Sequence, residues 1–200
     1  MLFNLTIIGL VFRQPNFFFF YMHNKGKIML TKIDLCSMAL LKLGEEPIQS
    51  LADDSASAKL SRTLFEPVID GLLSLYPWRF ATQTIDLARN TEGNFLIPPN
   101  VLRVLKTSGR IIANRIITDT TQTTITAIVK TCPEQFPGYF VSLCATRLAM
   151  EFCIPLLGDQ NIFRMLVALY ETELQTARFI DGTTSATEPI TDFALIGSRF

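Results

Sequence analysis

The stretch that most constrains this chain is residues 132–181, where apolar residues recur at helical spacing on both sides of one short interruption. Phe136, Phe140, Cys144, Leu148 and Phe152 fall four apart, with Val141, Ala145 and Ala149 beside them. That stripe is wide enough to face a core. Gly158-Asp159 breaks the pattern with a turn residue and an N-cap type, after which Ile162, Phe163, Leu166, Val167, Tyr170, Leu174 and Ala177 resume it. So short a connection predicts two antiparallel neighbouring helices. Gly182 follows and is expected to end the second of them as its C′ residue.

Such a pair needs further apolar faces to cover it, and two lie upstream. Residues 30–43 read as a helix carrying Ile33, Met38, Leu40 and Leu41, with Thr31 and Asp34 in its first turn and Gly44 as its stop. Glu45-Glu46-Pro47 turns the chain, and Ile48 and Leu51 are expected to tuck under the bundle. Asp53-Asp54-Ser55 offers three N-caps for a second helix that reaches Tyr76-Pro77. Its apolar rows are Leu60, Leu64, Val68 and Leu72, with Phe65, Ile69 and Leu73 alongside. Pro67 lies inside it and predicts a kink. Trp78 and Phe80, just beyond, are rings of the kind that close a core.

Residues 79–130 change period. Ala81, Gln83, Ile85 and Leu87 mark a strand, 90–100 reads as a loop ending in Pro98-Pro99, and β-rich runs follow at 101–106, 110–113, 115–118 and 123–129. Ser108-Gly109 and Asn114 punctuate them. The threonine-rich run 118–126 suits a solvated edge strand. The expected fold is therefore α+β, a bundle of about four helices with a small antiparallel β-meander inserted between helices two and three.

Both ends of the chain differ from this middle. Residues 1–28 hold three basic residues and no acidic ones, with two short apolar runs broken by Arg13-Gln14-Pro15-Asn16. They lack the charge order and small-residue cleavage site of a signal peptide, and neither run is long enough to span a bilayer. The four-phenylalanine run 17–20 would be an aggregation liability. We read 1–28 as a non-native extension ahead of Met29 or a disordered segment; a peripheral membrane anchor built on 7–12 and 17–20 is the alternative. Residues 182–200 turn polar and then space Ile190, Phe193, Leu195, Ile196 and Phe200, the pattern of a tail that orders on docking. The division is thus 1–28, a domain at 29–181, and a docking tail at 182–200.

Charge and composition exclude several functions. The formal net charge is zero, and from Met29 onward 15 basic residues face 18 acidic ones, without the basic excess of a nucleic-acid binder. The single histidine, His23, leaves no Ser-His-Asp or Cys-His arrangement. The four cysteines form no CxxC pair and read as buried thiols in a reducing compartment. Glu45-Glu46 and Asp53-Asp54 are the only candidates for acid/base or metal work, and both decorate helix ends, where acids belong electrostatically. Arg147 and Glu151 stand one turn apart as an exposed pair worth a few tenths of a kcal/mol. No enzyme activity, metal or cofactor is expected.

The order of short blocks then carries a resemblance. It runs Ala39-Leu-Leu-Lys-Leu-Gly44-Glu-Glu-Pro47-Ile48, the helix 58–76, Pro77-Trp78-Arg79-Phe80-Ala81, Ile97-Pro98-Pro99-Asn100-Val101-Leu102-Arg103-Val104, the helix 136–149 with Arg147-Leu148-Ala149, and Tyr170 followed by Ala177-Arg178. This succession, covering about 29–181, resembles the bacteriophage head-to-tail adaptor family, including the tail tubular protein A or gatekeeper proteins of short-tailed phages and the adaptors of gene transfer agents. No single block is specific; their order and spacing carry the likeness. The resemblance implies a structural virion protein at the head–tail junction, assembled in the bacterial cytoplasm as a closed ring, commonly of about twelve copies. Such a ring sits beneath the portal protein, receives the tail or a nozzle or stopper protein, and passes DNA only in transit, with no membrane involved. On that layout Ile190, Phe193, Leu195, Ile196 and Phe200 are expected to contact the portal. Thr118, Thr121, Thr123, Thr124 and Thr126 are expected on a tail-facing edge. The alternative is a non-catalytic membrane-associated or metal-binding small phage or prophage protein.

Overall fold

The computed structural model describes residues 29–90 and 93–183, so the extension 1–28 and the tail residues 184–200 lie outside it. Among the described residues are four α-helices and two small antiparallel sheets, an α+β fold. Helix α1, Lys32–Leu43, opens with a capping box: Thr31 Oγ1 accepts from the Asp34 amide at 3.2 Å, and Asp34 Oδ2 accepts from the Thr31 amide at 2.8 Å. It closes on Gly44, whose φ of 78° is the left-handed conformation glycine adopts without strain. In helix α2, Ala56–Leu75, Ser55 wins the capping position, its Oγ accepting from the Ala58 amide at 3.2 Å. Asp53 accepts instead from the Ser50 amide. Pro67 lies inside α2, which nonetheless continues to Leu75.

Helix α3, Gly138–Leu157, also holds a proline, Pro155, in its last turn, and stops at left-handed Gly158. Asp159 then caps helix α4, Gln160–Thr183, with Oδ1 accepting from the amides of Asn161 at 2.7 Å and Ile162 at 3.3 Å. One stop differs from expectation. Gly182 lies inside α4 and does not terminate it, because the neighbouring Asp181 is pinned by tertiary hydrogen bonds that hold the last turn in place.

Helix α3 is the axis of the bundle and packs against α1, α2 and α4. It is also the one described helix long and apolar enough to cross a membrane. Its apolarity serves the core: Phe140, Leu143, Cys144, Leu148, Ala149, Phe152 and Cys153 are all fully buried. Trp78 is fully buried as well, its Nε1 donating to the Leu72 carbonyl at 2.9 Å. Its ring meets Phe140 edge-on at 5.0 Å between centroids, and Phe140 in turn meets Phe80 and Phe136, each at 4.9 Å.

Between α2 and α3 lies a β lobe of six strands: β1 Thr82–Leu87, β2 Phe95–Leu96, β3 Val101–Thr107, β4 Arg110–Ile112, β5 Arg115–Ile117 and β6 Thr123–Val129. They form two three-stranded sheets, ordered β1-β6-β3 and β2-β5-β4. The strands are therefore antiparallel as expected but do not follow one another as a single meander. Strand β6, with Ile125, Ala127, Ile128 and Val129 buried, is the most apolar strand and takes the centre of its sheet. The β4–β5 hairpin nests between β3 and β6 in sequence and pairs with β2, a two-residue strand inside the segment read as a loop. Leu87, Phe95, Ile97, Ile116, Ile125 and Ala127 make a second, smaller core.

Gly109 is required where the chain enters that hairpin, beside the end of β5. A Cβ there would stand 2.6 Å from Ile116 Cγ2 and 2.7 Å from the Ile117 carbonyl oxygen, which is backbone and yields little. Gly109→Ala is expected to cost about 2 kcal/mol through overpacking, read as a lowered urea midpoint with unchanged helical circular dichroism before the transition.

Candidate interaction surfaces

The polar candidates are dispersed. Asp54 pairs with Lys59 at 3.4 Å on the surface, Glu46 is exposed, and among the described residues no three Cys, Asp, Glu or His side chains gather as a metal site requires. Cys36, Cys144 and Cys153 are buried, and burial pushes each thiol above its ordinary range, away from the nucleophilic thiolate. Cys132 departs from the sequence reading, being exposed in the link that leads into α3. His23 lies outside the described residues.

One ionic network ties the scaffold. Glu66 of α2 receives Lys32 of α1 and Lys130, which leads out of β6, while Lys130 also meets Asp70 at 3.0 Å. Hydrogen bonds from Lys130 and Lys32 hold the Glu66 carboxyl below its ordinary value, and those from Glu66 and Asp70 raise Lys130 above its own. The lowered carboxyl adds stability present above its unfolded value and lost as the pH falls through the folded one. The raised ammonium adds stability present below its unfolded value and lost as the pH rises through the folded one. The network thus contributes across the neutral range and weakens at both ends. Because the groups are 39% and 45% exposed, water screens them, and Glu66→Gln is expected to cost only about 0.5–1 kcal/mol at pH 7. Urea unfolding at pH 3 should show a smaller difference.

Asp181 is the buried polar residue with the widest reach. Only 1% exposed, it accepts from the Arg79 amide through both oxygens at 3.2 and 3.1 Å and from the Tyr139 hydroxyl at 2.7 Å. It therefore joins the end of α4 to the turn after α2 and to the start of α3. Burial and the Asp181 hydrogen bond both raise the Tyr139 phenol above its ordinary range.

The predicted tail-facing threonines do not line one edge. Thr123, Thr124 and Thr126 belong to β6, the middle strand, whose backbone pairs with β1 and β3. Thr123 is buried with its Oγ1 2.8 Å from Ser108 Oγ, and Thr124 Oγ1 donates to Asp86 Oδ1 at 2.8 Å. Thr118 and Thr126 are half-buried, and Thr121 is exposed in the preceding turn. The open edge at the hairpin is β4, where Ile111 and Ile112 stand exposed with Ile117 and Leu96 nearby on the same small sheet. Arg110 and Arg115 flank these residues. The portal-contact candidates Ile190, Phe193, Leu195, Ile196 and Phe200 lie outside the described residues.

Sequence reasoning missed a second surface. Helix α4 buries only Leu166, Ala177 and Asp181. Its outer side shows Met165, Leu169, Thr172, Thr176 and Phe179, spaced alternately four and three as in a helix–helix seam, with Met165 72% and Phe179 71% exposed. That spacing was the available signal, hidden behind the stronger stripe facing α3. Along the opposite flank an open groove of about 500 Å³ runs between α2 and α4 over the Arg147–Glu151 pair, which closes at 2.6 Å.

No protein-family model matches this chain, and neither does any curated protein.

Proposed function

We propose that the chain is a structural head-to-tail adaptor of a phage-like particle, forming a ring on the portal on which the tail assembles and through which DNA passes. The observation that carries this reading is the outer face of α4. A helix of 24 residues that buries three and leaves Met165, Leu169 and Phe179 in water along one side, with the small Thr172 and Thr176 between them, is suited to packing against another helix, and a neighbouring copy supplies one at every position of a ring. The block order described above supplies the class of particle. On this reading the seam is the lateral contact, the exposed edge of β4 takes a strand from the tail-side partner, and the tail beyond Thr183 reaches the portal. The protein works without catalysis, metal or cofactor.

Sedimentation of the full chain with portal rings from the same genetic element tests the proposal. Several copies per portal are expected to travel together, and Leu169→Glu with Phe179→Glu should abolish that multiplicity while leaving circular dichroism unchanged. A chain that stays behind as a free monomer would sink the adaptor reading.

A further inference from the structure

The groove between α2 and α4 has no occupant among the described residues, yet it is built to take one. Leu64, Val68 and Leu75 line its α2 side, Tyr170 faces them from α4, and Arg147 and Glu151 form the floor. Gly71 opens the α2 wall, since a Cβ placed there would meet nothing within 4 Å. We infer that the groove is the docking site of this chain's own segment 184–200.

Four observations favour that occupant. The first is where the chain leaves. Asp181 is tied to Arg79, and Arg178 lies over the Tyr76 ring at 5.4 Å, so the last turns of α4 run beside residues 76–79, which directly follow groove residue Leu75 in the chain. The second is length: the 17 remaining residues reach up to about 56 Å when extended, whereas the helix from Leu64 to Leu75 is only about 16 Å long. The third is composition, because Ile190, Phe193, Leu195 and Ile196 offer apolar side chains to walls built of Leu64, Val68, Leu72 and Leu75. The fourth is charge. Arg178 Nε is shielded from water with no hydrogen-bond partner among the described residues. Its guanidinium lies over Tyr76, which follows groove residue Leu75, and the segment carries two carboxylates, Glu188 and Asp192, able to pair with it.

A tethered segment also meets its site at a high effective concentration, which favours the same chain over a second copy. The inference does not depend on the adaptor reading. If both hold, attachment to the portal draws the segment out of the groove, and the free chain is kept from presenting it early.

Hydrogen exchange of the full chain at two concentrations, followed by mass spectrometry, tests this. Amides of 190–200 are expected to exchange at least about tenfold more slowly than in an unstructured peptide, at both concentrations. Phe193→Asp with Ile196→Asp should return them to the unstructured rate and speed exchange at the groove side of α2. Gly71→Trp, which fills the groove without touching the tail, should do the same to the tail. If Gly71→Trp loses its circular dichroism, the tail double variant decides alone. Unprotected tail amides in the unaltered chain overturn the proposal. So does protection seen only where the chain dimerises, which marks the tail of a second copy, or protection that a folded Gly71→Trp leaves intact, which marks another surface. A protected tail in a chain that never sediments with portals would retire the adaptor reading and leave this one standing.

Discussion

Trp78→Ala is expected to lower stability by about 4 kcal/mol, the largest effect of any single substitution in the bundle. The side chain is fully buried and contacts Tyr76, Phe80 and Phe140 through its ring. Removing it leaves a void bordered by rings that cannot collapse together, because Phe140 is fixed on α3 and Phe80 on the 3-10 turn Arg79–Ala81. It also strips the Leu72 carbonyl of its indole partner at the end of α2. Trp78→Phe keeps most of the volume but not the donor and should cost less than half as much. Urea unfolding followed by circular dichroism at 222 nm measures both; equal losses in the two variants would show that the hydrogen bond, not the packing, dominates.

Asp181→Ala is expected to cost about 3 kcal/mol, since it orphans the Arg79 amide and the Tyr139 hydroxyl together in a region shielded from water. Tyr139→Phe removes only one of the two donors and should cost about 1 kcal/mol. The double variant should therefore cost no more than Asp181→Ala alone, because with the Tyr139 hydroxyl gone there is no donor on that ring to leave unpaired. A second signature lies in the base limb. The Tyr139 phenol is raised in the folded chain, so its contribution is whole below its ordinary value of 10.0 and is lost as the pH climbs through the folded value. Asp181→Ala should flatten that limb. If Asp181→Ala unfolds at the same urea concentration as the unaltered protein, the carboxylate is not the tie described here.

The helices were legible in the residues because their signals are local. Gly44 and Gly158 as stops, Ser55 and Asp159 as caps, and the four-apart rows of α2 and α3 each depend on neighbours within a turn or two. What escaped depends on distant partners. The two residues of β2 are a strand only because Ile116 and Arg115 pair with them, and the run 118–126 lost its edge position because β1 and β3 reach β6 from either side. Gly182 carried a correct local signal for a helix end, and bonds to Arg79 and Tyr139 far back in the chain overrode it. The α4 seam was present in the spacing, but periodicity alone does not say which of two faces on one helix will be left uncovered. Of the candidate contact residues, the threonines scattered between core and surface, since alternation along β6 sends neighbours to opposite sides.

Arg79 lies three residues before the β lobe begins and Tyr139 ten residues after it ends, and one carboxylate holds both. The lobe is thus a detour whose way out and way back are fastened at a single rivet. Insertions tolerated by a fold share this plan of entry and exit close together, although here Ile128 of the lobe also enters the bundle core. A change in length at the far end of the detour, around the β4–β5 turn, would leave both ends of that rivet where they are.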